Sequence, residues 1–146
     1  MAVVQIIVGS VLGASEYVAE ALGDKLKALG HETVLHFEPK FEDISQKDIW
    51  LICSSTHGAG DLPDNIQPFA DSLANATLSS LPYCVISLGD SSYDTFCQGG
   101  AQLYDLLKTA KAKPLSKPLE IDVLQHPIPE DHAIAWLDKN SSLFAL

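Results

Sequence analysis

The stretch Val3-Val4-Gln5-Ile6-Ile7-Val8-Gly9-Ser10-Val11-Leu12-Gly13-Ala14-Ser15-Glu16 decides how the rest of the chain is read. Every residue from Val3 to Val8 except Gln5 is β-branched, which is the pattern of a strand covered on both faces, and Gly9 punctuates its end. Beyond the loop, Val18, Leu22, Leu26 and Leu29 recur at spacings of three and four, so a helix is expected from about Gly13 to Leu29, with Gly30 as its stop. A glycine-punctuated loop passing from a buried strand straight into a helix is the first half of a βαβ unit.

The same grammar repeats downstream. His31 to Phe37 reads as extended, Ile49 to Cys53 and Tyr83 to Leu88 as buried strands, and Leu119 to Leu124 as a last strand. A short helix is expected from Asn65 to Leu73, burying Ile66, Phe69, Ala70 and Leu73, with Asp64 as its N-cap. Phe96, Leu103, Leu106, Leu107 and Ala110 mark an amphipathic helix, and Glu130 to Phe144 a terminal one. Strand and helix thus alternate about five times, predicting one α/β domain over residues 1–146 with a doubly wound, five-stranded parallel sheet. Ligands bind such sheets outside the carboxyl ends of the strands, where strand order reverses, so the loops after strands one, three and four are the places to look.

Composition narrows the partners. Nineteen acids against nine lysines give a net charge of −10, and there is no arginine, which argues against nucleic acid. From Asp48 to Asp105, both included, stand seven aspartates and no lysine. No apolar run approaches the roughly 20 residues of a membrane span, so no membrane association is expected. The amino terminus shows neither a basic n-region nor a cleavage site, so no signal peptide is expected and the cytoplasm is the expected compartment. Cys53, Cys84 and Cys97 form no C-x-x-C pair and are expected as reduced thiols, the first two in the core. No set of Cys and His completes a metal site, and His31, His36, His126 and His132 read as surface residues.

Three loops carry the chemistry. Ser10 to Ser15 opens a helix, whose N-terminal N–H groups hold an anion without any basic side chain, and the hydroxyls of Ser10 and Ser15 are available as further donors. Neither of the commoner nucleotide fingerprints is present. In the second loop, Ser54-Ser55-Thr56-His57-Gly58-Ala59-Gly60-Asp61-Leu62-Pro63-Asp64-Asn65, three hydroxyl residues precede two glycines. The third, Leu88-Gly89-Asp90-Ser91-Ser92-Tyr93-Asp94-Thr95-Phe96-Cys97, sets two aromatics just past a strand-end glycine, where a ring can stack on a planar ligand.

These loops resemble the FMN site of flavodoxins and of the flavodoxin-like domains in diflavin reductases. The first is similar to the family's S/T-x-T-G-x-T phosphate loop, the second to its T-x-G-x-G-D segment, and the third to its G-x-G-D-x-x-Y-x-x-[FY]-C segment. Within the family the chain looks most like the MioC group of short bacterial flavodoxins, which also carry Leu where the phosphate loop usually has Thr. The resemblance implies that Ser10, Val11, Leu12, Gly13, Ala14 and Ser15 bind the ribityl phosphate. It implies further that Ser55, Thr56, His57, Gly58, Ala59 and Gly60, together with Leu88, Gly89, Asp90, Tyr93, Phe96 and Cys97, flank the isoalloxazine, with Tyr93 stacked on it. Val11, Leu12 and Ala14 depart from the family pattern by losing hydroxyl or amide groups, and His57 stands where an aromatic ring commonly covers the flavin. FMN binding is therefore expected to be weakened but kept.

The function implied is a monomeric electron carrier with no catalytic side chain. It would pass electrons from a reductase to an acceptor enzyme, each presenting a basic docking face to the acidic surface. Two other readings stay open: a cofactor-free regulatory protein with the same fold, motivated by the altered phosphate loop, and a flavin-dependent quinone reductase. His57 is open between a flavin contact and a solvated loop residue.

Overall fold

The computed structural model describes residues 2–10, 13–57 and 60–145. β1 (Val3–Gly9) is the second strand of a parallel sheet, between the edge strand β2 (Glu32–His36) and the central β3 (Ile49–Ser55), and β3 pairs in turn with β4 (Pro82–Gly89). Two short segments, β5 (Lys113–Pro114) and β6 (Leu119–Asp122), both pair with β4, the first beside Pro82 and Tyr83 and the second beside Ile86 to Gly89. The fifth place in the sheet is thus filled by a broken strand. Its second part ends at Asp122, two residues short of the sequence expectation, because the Asp122 carboxylate accepts the N–H of Leu124 at 3.0 Å and turns the chain.

The alternation of side chains along β1 explains the two layers of helices. Val4, Ile6 and Val8 face α1 (Ala14–Ala28) and α4 (Pro129–Asn140), which contribute Val18, Leu22, Leu26, Ala133 and Leu137 to one core. Ile7 faces the other side, where Trp50, Ile52, Tyr83 and Val85 pack on α2 (Gln67–Leu73) and α3 (Gln98–Thr109). The chain leaves β1 to make β2 on one side and returns to place β3 on the other, so the strand order reverses at the β1/β3 boundary. Between those strand ends a crevice opens.

Several local expectations are corrected. α2 starts at Gln67 with Ile66 at its N-cap and no side-chain cap, so Asp64 does not serve there. α3 starts at Gln98, leaving Phe96 in the loop, and the terminal helix gives way to a 3-10 turn over Ser141–Phe144. The four histidines read as surface residues are half-buried and engaged. His31 Nδ1 accepts the N–H of Ala2 at 3.0 Å, the rings of His126 and His132 stack at 3.9 Å, and His36 bonds to Gln5 at 2.7 Å. Because the Gln5 amide group donates to Asp48 at 2.9 Å, its oxygen must accept from His36, which places a proton on Nε2 of that ring. All three cysteines are free and buried.

Candidate functional site

The first loop ends at Gly13, whose φ of 89° is a left-handed conformation suited to glycine, and the first bond of α1 runs from Tyr17 N–H to Gly13 C=O at 3.1 Å. No side chain caps this end. The N–H groups of Ala14, Ser15 and Glu16 therefore lie outside the helix's own ladder and point at the loop. Ser10 Oγ accepts the N–H of Gly13 at 2.9 Å, so its hydroxyl helps to set the start of the helix. Ser15 is fully buried, with its hydroxyl paired to Ser55 Oγ at 2.6 Å, so it ties the first loop to the second instead of facing a ligand. Val11 and Leu12 lie outside the described residues, as do Gly58 and Ala59.

The second loop folds back on itself. His57 N–H donates to Asp61 C=O at 2.7 Å and Asp61 N–H returns to His57 C=O at 2.8 Å, closing a hairpin with His57 exposed at its edge. Gly60 is buried at a φ of 98°, and its carbonyl accepts from the Gln102 side chain on α3. Thr56 Oγ1 accepts the N–H of Gly99 at 3.0 Å, so this hydroxyl satisfies one of the open donors of α3.

In the third loop Asp90 accepts both the N–H and the O–H of Ser92, and Tyr93 N–H donates to Asp90 C=O at 3.1 Å. This tight turn projects the Tyr93 ring outward at 63% exposure. The loop is also held from beneath. Asp122, only 8% exposed, accepts the N–H of Ser91 at 3.3 Å, and hydrogen bonds from Ser91 followed by that from Leu124 hold its carboxyl below the usual range. Cys97 bonds reciprocally with Ser87, and burial pushes its thiol up to about 11, which makes it a packing residue at neutral pH. A side chain at Gly89 would meet Cys97 N at 2.7 Å, so the loop can close over the strand end only because residue 89 lacks one.

Together these loops enclose an open, mostly apolar cavity of about 640 Å³, well within the range of small-molecule sites. Of the residues expected from sequence, Ala14, Ser55, Thr56, His57, Leu88, Gly89, Asp90, Tyr93, Phe96 and Cys97 line it. Asp94, Thr95 and Val123 join them, and Val123 was not legible as a site residue because it lies in the turn after β6, which carries no motif of its own. Ser10 lies instead in an adjoining polar cavity of about 430 Å³, with Glu38, His57, Asp64 and Asn65. Among the described residues no group of three or more His, Cys, Asp or Glu is placed to hold a metal ion, and no helix is long and apolar enough to cross a membrane.

Comparison with known proteins agrees with this fold. The family profile described as Flavodoxin matches residues 6–136. Protein MioC of Escherichia coli K12 is 45% identical over 94% of this chain and 95% of its own length, and Flavodoxin YqcA of the same strain is 36% identical over 99% and 100%. Among solved structures, a cysteine-to-serine mutant of flavodoxin from Pseudomonas aeruginosa superposes with a TM-score of 0.90 at 32% identity, covering 99% of both chains.

Proposed function

This chain belongs to the flavodoxin family, and from that premise we propose that it holds one FMN noncovalently and works as an electron carrier between a reductase and an acceptor enzyme. The observation that carries the proposal is the pairing of an apolar cavity flanked by a solvent-facing Tyr93 with an uncapped helix N-terminus beside it. A flat ring system with an anionic tail is the ligand class that fits both at once. When bound, FMN supplies the redox chemistry, and the protein supplies orientation and surroundings.

The chain's own residues divide that work. The N–H groups of Ala14, Ser15 and Glu16, with the positive end of α1 behind them, hold the phosphate with no need of the arginine that this chain lacks. Tyr93 offers a ring face, while Leu88, Phe96 and Val123 exclude water from the inner wall. Asp90 and Asp94 at the cavity place negative charge where it disfavours further negative charge on a bound group, which favours giving electrons away. The protein acts as a cytoplasmic monomer whose acidic face meets a basic docking face on each partner.

The test mixes the FMN-loaded protein with NADH or NADPH and a quinone, with and without a purified flavodoxin reductase. Electrons are expected to pass only when the reductase is present, at a rate that falls as salt rises. Turnover without the reductase would make the protein a quinone reductase.

A further inference from the structure

We infer that Asn65 is the positioning residue that shapes the phosphate loop, and that through it the second loop sets the preference for a phosphorylated flavin. The inference rests on the FMN reading above. The Asn65 side-chain amide donates to Val8 C=O at 2.7 Å and to Phe37 C=O at 2.9 Å, while its oxygen accepts the N–H of Ser10 at 2.9 Å. Both donors and the acceptor are used, and a flipped amide would set NH₂ against an N–H and oxygen against two carbonyls, so its orientation is determined.

The pattern has a plain structural meaning. In a parallel ladder, a residue facing Gly9 would donate to the carbonyl before it and accept from the N–H after it. β2 ends its pairing at Ile7↔His36, whereas β3 continues to Gly9↔Ser54, so β1 loses its neighbour on one side just where the loop begins. The Asn65 amide stands in for the missing strand. Close approach is possible because residue 9 is glycine: a Cβ there would lie 2.8 Å from Ile66 Cγ2. With its N–H fixed by Asn65, Ser10 is set to receive the Gly13 N–H on its hydroxyl, and Gly13 opens α1. A continuous run of bonds therefore joins Asn65, at the foot of the His57–Asp61 hairpin, to the helix end that would hold the phosphate.

A residue that merely supported the fold would weaken every flavin alike, whereas one acting through the phosphate loop weakens only the phosphorylated form. Fluorescence titrations with FMN and with riboflavin, on wild type, Asn65→Ala and Asn65→Asp, separate the two. Asn65→Asp keeps the acceptor for Ser10 but loses both donors, and it provides a near-isosteric second variant if Asn65→Ala does not fold. In both variants FMN affinity is expected to fall about tenfold or more while riboflavin affinity stays within about threefold, collapsing the preference of the wild type. An unchanged ratio of the two affinities in both variants would overturn the role given to Asn65. A wild type that binds FMN and riboflavin equally would instead remove the phosphate-loop reading on which the inference rests.

Discussion

Tyr93 carries its ring into solvent although its backbone is fixed in a hydrogen-bonded turn, a combination that leaves a large apolar face waiting for a partner. A ring stacked on it would gain on the order of 1 kcal/mol beyond the area buried. Tyr93→Ala is therefore expected to weaken FMN several-fold and raise the fluorescence of what remains bound, with the melting temperature of the apo-protein nearly unchanged. A lower melting temperature with unaltered FMN affinity would reduce Tyr93 to a loop-packing residue. Its place was legible because an aromatic just past a strand-end glycine belongs to a recognisable motif. Asn65 and Asp122 were not, since their roles depend on backbone groups far away in sequence, Val8, Ser10 and Phe37 for the one and Ser91 for the other. Ser15 shows the converse: its position in the loop was readable, but the direction of its hydroxyl, toward Ser55, is a product of tertiary packing.

Elements with continuous apolar runs, β1, β3 and β4, could be read directly, because burial on both faces leaves few other residue types possible. Of the broken fifth strand, only the second part, β6, was legible. A two-residue segment such as Lys113–Pro114 has no periodicity, and it is defined only by its pairing with Pro82 and Tyr83. The start of α3 carries a further signal, the pair Gly99–Gly100, that sequence reading passed over. A Cβ at Gly99 would lie 2.7 Å from Ser55 O, and one at Gly100 would lie 2.3 Å from Ser87 Cβ, so the helix rests directly on the ends of β3 and β4. Gly100→Ala must push α3 away from β4 and is expected to cost about 1–3 kcal/mol, read as a lower urea midpoint. Because Thr56 and Gly60 are bonded to the same helix, FMN affinity should fall with it. An unchanged midpoint would mean that the helix can shift freely, contrary to the tight contact described.

Across the whole molecule, the lysines of the helices lie away from the cavity, although acids such as Asp138, paired with Lys25 at 3.0 Å, share their end of the sheet. Lys25 and Lys27 in α1, Lys108 in α3 and Lys139 in α4 occupy last turns, which the parallel wiring puts at the end of the sheet opposite the cavity, while Asp61, Asp64, Asp90 and Asp94 belong to the loops around it. Toward a partner with a basic face, the loop aspartates would speed encounter more than they strengthen the complex. Since exposed charges are screened beyond about 10 Å at 0.1 M salt, Asp90 and Asp94 should dominate whatever electrostatic effect reaches the cavity itself. The two perturbed histidines give stability its own pH dependence. Burial holds His36 below its ordinary 6.5 against the opposing pull of Asp43, and burial followed by the charges of His126 and Lys139 does the same to His132. The unfolded chain thus takes up more protons as pH falls past that value, so this part of the stability is full above it and is lost as pH drops toward the folded-state values. Urea midpoints at about pH 7.5 and pH 5.5 should show the loss, and His36→Gln should show a smaller one; an equal drop in the variant would exclude His36 as a contributor. The central claim, that the three loops form a site for FMN, is tested most directly by calorimetric titration of the apo-protein with FMN. One FMN bound per chain is the predicted result, and the absence of binding by a folded apo-protein would contradict it.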